Sequence, residues 1–306
     1  MKNKMNKLFF IVPLLLLAAC QSKQEKTTEV ADTRTSGEVK MIVDESFSSV
    51  LADQIQVFKV DYPNTKFELI EGSENKILPT FLNDSVRVAV LSRPLTAVEE
   101  KAYVNKGRPI RYSRFAIDGI ALITGNSNQD TTITAEEVIS ILKGNNPSGK
   151  NLVFDNAYSS TLRYFKDLAQ IKDLPKSGIY TLSTNNDVIK YVAAHPDYIG
   201  VLGVNWLLQG NRDMINFTDQ VKLMGVKNVK GKKGDDAFYQ PTQKNLISGI
   251  YPFLRNVYII TAEGKNGLGT GFANWLVGQR GQLIVLKSGL GPNFLNSRDI
   301  NIKSKN

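Results

Sequence analysis

The stretch FDNAYSSTLRYF, residues 154–165, joins an apolar segment to an amphipathic one through three hydroxyl residues. NLVFD (151–155) has the pattern of a short buried strand, and Leu162 and Phe165 then begin an apolar stripe at helical spacing. One Ser or Thr is enough to cap a helix, and Arg163 lies in a first turn, where the helix dipole favours acids. The stretch therefore predicts a strand-to-helix turn, whose hydroxyls are either an ordinary cap or a seat for an anion.

The first third of the chain alternates between strand and helix patterns. The strand patterns are VKMIV (39–43), KFELI (66–70) and VRVAVL (86–91). A helical stripe follows each of them. Ser46 is the expected cap of the first helix, and Thr96 with Glu99 forms a capping box at the third. This order predicts a mostly parallel α/β sheet with crossover helices.

A second α/β unit follows, and the chain then returns to the first. FAIDGIALIT (115–124) is a long strand pattern, and NVYIIT (256–261) is the strand that returns. We therefore expect two lobes, residues 38–115 plus 257–306 and residues 116–256. In open sheets of this kind, ligands bind outside the carboxyl ends of the strands, beside helix N-termini.

The N-terminus has the order of a secretory signal. Three lysines precede the apolar run LFFIVPLLLLAA (8–19), which is shorter than the roughly 20 residues that a membrane span needs. The run ends on LAAC, which resembles a bacterial lipobox and implies cleavage of residues 1–19 and lipidation of Cys20. The chain has no other cysteine, so an intramolecular disulfide is excluded. We expect a membrane-anchored lipoprotein of the cell envelope that faces the periplasm.

Residues 20–37 carry no periodic apolar stripe and are expected to tether the lipidated cysteine to the folded domain. Loss of the three lysines of the signal peptide lowers the formal net charge from +9 to +6. Such a mild positive field favours anionic ligands. The densest basic run, KNVKGKKGDD (227–236), contains glycines and ends in aspartates. It therefore predicts a solvated hairpin loop and no binding of nucleic acid.

Four strand-to-helix turns carry small hydroxyl residues. Each offers a hydroxyl together with free helix N–H groups, which bind a tetrahedral oxyanion without a metal ion. Any one of these turns is more often only a helix cap, so the prediction depends on the four together. The candidate ligand-binding residues in them are Ser46, Ser73, Ser92, Arg93, Ser159, Ser160 and Thr161.

In order and spacing, these segments resemble the phosphate-binding proteins of bacterial ABC importers over nearly all of residues 38–300. The matching segments are Ser46-Phe47, Gly72-Ser73, SRPL (92–95), AIDGIALI (116–123), SSTLRYF (159–165), YPFLRNVYII (251–260) and GQRGQLIVLKSGLGP (278–292). The resemblance implies the class II periplasmic solute-binding fold. This fold has two lobes of mixed, mostly parallel sheets flanked by helices, with two crossover strands. The resemblance also adds Phe47 to the candidate ligand-binding residues.

Four positions depart from the family pattern. They are Glu45 in place of a small residue, Ser92 in place of an acid that often accepts the ligand's proton, Ser160 in place of a glycine and Asp155 in place of an arginine. An anion site then requires Arg93 or Arg163 to turn inward. The ligand stays open between inorganic phosphate and another anionic solute.

The resemblance implies a lipid-anchored solute-binding protein. It would capture an oxyanion, inorganic phosphate first, in a cleft between its lobes and deliver it to an ABC permease in the inner membrane. We expect a monomer without a cofactor or a metal ion. Two alternatives stay open, a binding protein for another anionic solute and a surface scaffold that keeps the fold without importing anything.

The sequence predicts no enzymatic activity. His195 is the single histidine and precedes Pro196 at an expected helix end, where a cap or a surface position is the ordinary use. None of the motifs G-x-S-x-G, H-E-x-x-H and G-x-x-x-x-G-K-[ST] occurs. One histidine and one lipidated cysteine argue against a transition-metal site.

Overall fold

The computed structural model describes residues 31–208 and 212–294, so the predicted signal peptide, Cys20 and most of the tether lie outside the described residues. The described residues from Asp32 onward form one unit. Its strands are β1 (Gly37–Asp44), β2 (Thr65–Gly72), β3 (Val88–Leu91), β4 (Arg111–Gly125), β5 (Thr132–Thr134), β6 (Asn151–Phe154), β7 (Ile179–Thr181), β8 (Tyr198–Gly203), β9 (Val221–Leu223), β10 (Gly225–Lys227), β11 (Leu254–Thr261) and β12 (Gly291–Pro292).

Helices connect most of these strands. They are α1 (Ser48–Asp61), α2 (Glu74–Leu82), α3 (Ala97–Val104), α4 (Ala135–Leu142), α5 (Ser160–Ala169), α6 (Asn185–Ala194), α7 (Asn205–Leu208), α8 (Arg212–Thr218), α9 (Gln243–Ser248), α10 (Leu268–Val277) and α11 (Gln279–Lys287). Within the described residues, no helix is both long enough and apolar enough to cross a membrane.

The main sheet runs in the order β2-β1-β3-β11-β4-β8-β6-β7. At one end β1 is parallel to β2 and β3, and at the other end β6 is parallel to β7 and β8. In the middle, β4 pairs antiparallel with β11 through its first part and with β8 through its second part. The predicted α/β class, with mixed sheets and two long connecting strands, is confirmed. The division into the lobes 38–115 plus 257–306 and 116–256 stays a prediction.

The first turn of the chain differs from its prediction in how it is capped. Asp44 Oδ1 accepts a hydrogen bond from Ser46 N at 3.0 Å, and Ser46 lies in a 3-10 turn, Glu45–Phe47, that precedes α1. The expected cap at Ser46 is therefore wrong, because Asp44 caps the 3-10 turn and Phe47 is the residue that precedes α1. This leaves the Ser46 hydroxyl available for other contacts. At α3, in contrast, the capping box of Thr96 and Glu99 is confirmed.

Apolar packing joins the N-terminal and C-terminal helices. Phe58 of α1 is fully buried and meets the rings of Phe67, Phe272 and Trp275 edge-on, at centroid distances of 5.7, 5.2 and 5.5 Å. Aromatic rings favour this arrangement because the positive edge of one ring faces the negative face of the next. The cluster holds α10 against α1 and β2, beside the strands that carry the predicted turns.

Residues 32–36 pack against the start of α10. Asp32 Oδ1 accepts a hydrogen bond from Leu268 N at 3.1 Å, and the other Asp32 oxygen pairs with Lys265. The Arg34 carbonyl lies so close to Gly271 that a side chain there would collide with it. The folded unit thus includes residues that the sequence assigns to the tether, because Asp32 supplies a missing acceptor for the N-terminus of α10.

Candidate functional site

The N-terminus of α5 meets the first strand-to-helix turn at two serine hydroxyls. Ser160 Oγ lies 3.3 Å from Ser46 Oγ and accepts a hydrogen bond from Arg255 Nη1 at 2.9 Å. Ser46 follows β1, Ser160 begins α5 and Arg255 belongs to β11, so three distant parts of the chain converge, all of them buried. We call Ser46, Ser160, Arg255 and the neighbouring Thr161 the hydroxyl–arginine cluster.

The sheet itself fixes Arg255 in this cluster. Arg255 stands opposite Asp118 in the pairing of β11 with β4, and its Nε donates to Asp118 Oδ2 at 2.6 Å. Its guanidinium lies over the ring of Phe47, 5.0 Å from the centroid, where the ring quadrupole attracts a cation. Burial lowers the pKa of Arg255, but Asp118 and Asp44 outweigh it and raise that pKa above its usual value. Arg255 therefore remains charged.

The hydroxyls at the start of α5 make different contacts. Ser159 caps the helix, since its Oγ accepts a hydrogen bond from Leu162 N at 3.1 Å. Thr161 Oγ1 and Arg255 Nη2 are buried and have no hydrogen-bond partner among the described residues. Buried polar groups in proteins are almost always partnered, and hydroxyl, guanidinium and helix N-terminal donors together suit a tetrahedral oxyanion. The turn is thus both a helix cap and a candidate anion-binding site.

Three buried carboxylates, those of Asp44, Asp118 and Asp155, act on the charge of Arg255 in this cluster. Each has one oxygen without a hydrogen-bond partner among the residues described. Burial raises the pKa of Asp155 to about 6, with a further rise from Glu45 and an opposing hydrogen bond from Ser159. Within the described ranges, no three His, Cys, Asp or Glu side chains are placed to hold a metal ion.

Both arginines that the sequence suggested as anion donors are bound to carboxylates. Arg93 Nε donates to Glu74 at 2.7 Å, and its two terminal nitrogens donate to Glu99 at 2.7 and 2.9 Å. Arg163 Nε donates to the other oxygen of Glu74 at 3.2 Å, and its Nη2 donates to Ser92 Oγ at 3.1 Å. Glu74 is fully buried and holds both arginines, so the cation of the hydroxyl–arginine cluster comes from β11 instead.

Ser73, in the second predicted turn, contacts the side-chain amide of Asn156 in the connection between β6 and α5. Ser73 Oγ donates to Asn156 Oδ1 at 3.1 Å, and Asn156 Nδ2 donates to Glu45 Oε1 at 2.6 Å. From α7, Asn205 Nδ2 donates to the backbone oxygen of Ser46 at 3.1 Å. Together with the contact between Arg163 and Ser92, these bonds bring all four hydroxyl-bearing turns to one region of the molecule.

Sequence reasoning missed Arg255, Asp118, Asn156 and Asn205. A signal for the first two was present, because each is a lone charged residue inside an apolar strand pattern. Charged residues are rarely buried unless they are paired, so opposite charges in two buried strands indicate a salt bridge. The two asparagines gave no such signal, since polar residues are ordinary in the connections where they lie.

Class II periplasmic binding proteins have this architecture. Two antiparallel strands join the parallel ends of the sheet, and a polar cluster lies beside them at a helix N-terminus. Residues 28–280 match the model of the PBP superfamily domain, and the chain belongs to that family. The resemblance drawn from the sequence motifs is thereby confirmed.

Curated relatives carry the name phosphate-binding protein PstS. That of Pseudomonas aeruginosa is 21% identical over 284 residues, which cover 84% of this chain and 83% of the relative. That of Borreliella burgdorferi is 23% identical over 306 residues, which cover 92% of this chain and 96% of the relative.

Solved structures show the same fold. An ABC-type phosphate transport receptor from Vibrio cholerae matches with a TM-score of 0.63 at 16% identity, over 84% of this chain and 100% of that one. A Clostridium perfringens substrate-binding protein assigned to phosphate ABC transport, solved with bound phosphate, matches with a TM-score of 0.65 at 20% identity, over 84% and 99%. At these identities the likeness establishes the fold alone.

Proposed function

We propose that this protein captures an oxyanion, with inorganic phosphate as the first candidate, and delivers it to an ABC permease of the inner membrane. The observation that carries the proposal is the pair of buried donors in the hydroxyl–arginine cluster. Thr161 Oγ1 and Arg255 Nη2 both lack a partner among the described residues and lie beside the N-terminus of α5. Membership of the family and the names of the relatives support the same class of ligand.

The cluster needs only reversible hydrogen bonding to hold such a ligand. The Ser46 and Ser160 hydroxyls are hydrogen-bonded to each other at 3.3 Å, so one proton of the pair is left to donate to the anion. Arg255 supplies a fixed positive charge, since Asp118 and the Phe47 ring hold its guanidinium in place. Donors that are already positioned bind an anion at a low cost in conformational entropy. The role that we propose is reversible binding and release, which membership of the family supports.

The proposal includes the envelope location predicted from the N-terminus. Removal of residues 1–19 and lipidation of Cys20 would hold the domain at a membrane surface, close to the permease. A Cys20→Ser variant is then expected to lose membrane association while its purified domain still binds the ligand. Recovery of that variant in the membrane fraction would contradict the lipid anchor.

Calorimetric titration with potassium phosphate tests the binding function. Saturable binding at one site is expected for the wild type, and marked weakening for Thr161→Val. Ser85→Ala, which removes an exposed hydroxyl far from the cluster in sequence, is the matched control and should bind as the wild type does. The proposal would be contradicted if millimolar phosphate gave neither a heat of binding nor a rise in melting temperature.

A second candidate is a binding protein for a different anionic solute. It is favoured by one observation, the buried carboxyl of Asp155 where the family pattern has an arginine. A thermal-shift panel of phosphate, arsenate, sulfate and simple phosphate esters separates the two. A larger shift with another anion than with phosphate would favour this second candidate, whereas no shift with any anion would favour a surface scaffold.

A further inference from the structure

Arg163 makes polar contacts that cross between the two predicted lobes. It belongs to α5 in the second predicted lobe, residues 116–256. Its Nε donates to Glu74 Oε2 at 3.2 Å, and its Nη2 donates to Ser92 Oγ at 3.1 Å. Glu74 begins α2 and Ser92 directly follows β3, so both acceptors belong to the first predicted lobe. One side chain of the second lobe thus binds two separate segments of the first.

The carboxylate of Glu74 is shared between two arginines. Its Oε1 accepts a hydrogen bond from Arg93 Nε at 2.7 Å, and the terminal nitrogens of Arg93 bind Glu99. Glu74, Arg93 and Glu99 all lie in the first predicted lobe, so these contacts can persist when the lobes separate. The bonds of Arg163 to Glu74 and Ser92 are the ones in this network that have to break.

The burial of this ion pair suits a contact that forms and breaks. The Glu74 side chain is 1% exposed and that of Arg163 is 23% exposed, so little water screens the pair and a charge-assisted bond there is strong. When the lobes separate, Glu74 keeps Arg93 as its partner and water reaches Arg163. No unpaired buried charge results, and such a charge is what makes the loss of a buried pair most costly. Separation of the lobes is therefore opposed but not prevented.

We propose that Glu74 and Arg163 form a latch between the predicted lobes, which slows their separation and so sets the rate at which a bound oxyanion leaves. Both oxygens of Glu74 bind arginines, so Glu74 acts on the ligand through Arg163, as a positioning residue. The inference rests on the proposed function for its ligand and on the predicted division into lobes for its motion. It assigns to Arg163 the retention of the ligand, in place of the direct ligand contact that the sequence suggested.

Stopped-flow release of phosphate into an excess of a fluorescent phosphate sensor tests the latch. Glu74→Gln keeps the size of the side chain but removes its charge, so we expect phosphate to leave about tenfold faster than from the wild type. Arg163→Gln should have the same effect, and the double variant should release phosphate no faster than either single variant. Glu99→Gln is the matched control, because it weakens an ion pair within the first predicted lobe and glutamine is accepted at this position of a capping box. Its release rate should equal that of the wild type.

Small-angle X-ray scattering in the absence of phosphate measures the separation of the lobes directly. Loss of the latch shifts the population towards separated lobes, so Glu74→Gln and Arg163→Gln should each have a larger radius of gyration than the wild type. Glu99→Gln should keep the radius of the wild type. This measurement does not depend on which anion the protein binds.

The outcomes separate the latch from the function on which it rests. Slower release from Glu74→Gln than from the wild type would overturn the latch, because Glu74 would then withhold its arginines from the anion. An equal acceleration in Glu99→Gln would also overturn it, since the effect would not depend on a contact across the lobes. Absence of phosphate binding by the wild type would overturn the proposed function, and an unchanged radius of gyration would then overturn the latch as well. Arg163→Gln alone decides the test if Glu74→Gln fails to fold.

Discussion

Arg255 stands directly opposite Asp118 in the pairing of β11 with β4, and its guanidinium bridges from that carboxylate to Ser160 at the start of α5. The distances are 2.6 Å from Nε to Asp118 Oδ2 and 2.9 Å from Nη1 to Ser160 Oγ. Asp118 is fully buried and Arg255 is 5% exposed. The two connecting strands thus place a fixed cation where the hydroxyl-bearing turns meet.

Removal of this cation should damage both stability and binding. We expect Arg255→Met to lower the free energy of unfolding by about 3–5 kcal/mol, because it leaves Asp118 as an unpaired buried charge. Urea unfolding measures the loss. Arg280→Met is the control, since the Arg280 side chain is 63% exposed in its pair with Asp61 and such surface pairs contribute about 0–1 kcal/mol.

The double variant Asp118→Leu/Arg255→Met separates the two effects. It removes both charges, so we expect much of the lost stability to return. Phosphate binding should stay absent, because the guanidinium that we propose as the cation of the binding site is missing. Phosphate affinity equal to that of the wild type in this variant would contradict the role of Arg255 in the site.

Arg163 allows a buried and an exposed ion pair to be compared on one side chain. Its pair with Glu74 joins side chains that are 23% and 1% exposed, whereas Asp167 in its second pair is 68% exposed. Double-mutant cycles from urea unfolding should give a coupling of about 1–3 kcal/mol for Arg163 with Glu74. For Arg163 with Asp167, four residues apart on α5, we expect about 0.3–0.5 kcal/mol. Equal couplings would show that burial of Glu74 adds nothing to the pair.

Two hydroxyls at the start of α5, those of the N-cap Ser159 and of Thr161, should respond in opposite ways to substitution. Ser159→Ala should lower the free energy of unfolding by about 1 kcal/mol through loss of the N-cap. Thr161→Val should leave the ligand-free protein as stable or more stable, because its buried hydroxyl has no partner among the described residues. Thermal melting without and with phosphate checks both variants. A destabilised ligand-free Thr161→Val with unchanged phosphate binding would refute the assignment.

The raised pKa of Asp155, about 6 in the folded protein, makes stability depend on pH. The folded state keeps the proton to higher pH than the unfolded state, where aspartate titrates near pH ~3.9. Stability from this group therefore falls as pH rises from about 4 to about 6, by up to about 3 kcal/mol. We expect the wild type, measured against Asp155→Asn by urea unfolding, to lose about 2 kcal/mol between pH 4.5 and pH 7.5, because the unfolded aspartate is already mostly ionised at pH 4.5.

Measuring against Asp155→Asn cancels the other carboxylates. Asp130 and Glu99 have lowered pKa values despite their partial burial, because Lys150 and Arg93 hold them ionised. They act in the opposite direction and lose stability as the pH falls. A difference between the wild type and Asp155→Asn that stays constant with pH would mean that Asp155 titrates at its ordinary pKa.

Local patterns predicted most of the fold because caps and apolar stripes are decided within a few residues. The capping box of Thr96 and Glu99 lies within one helical turn and appears as predicted. The prediction failed at Ser46, because Asp44 caps a short 3-10 turn that contains Ser46, and α1 begins only at Ser48. A pattern of single residue types does not reveal such a 3-10 turn between a strand and a helix.

The sequence by itself determined the alternation of strands and helices, the fold family and the four hydroxyl-bearing turns, because apolar periodicity and turn chemistry are local. Only the tertiary structure decided which cation faces those turns. Arg255 meets Ser160 across 95 positions of the chain and Asp118 across 137, through strand register that no local pattern reveals. Glu74 binds Arg93 and Arg163, because a buried carboxylate draws any cation within reach.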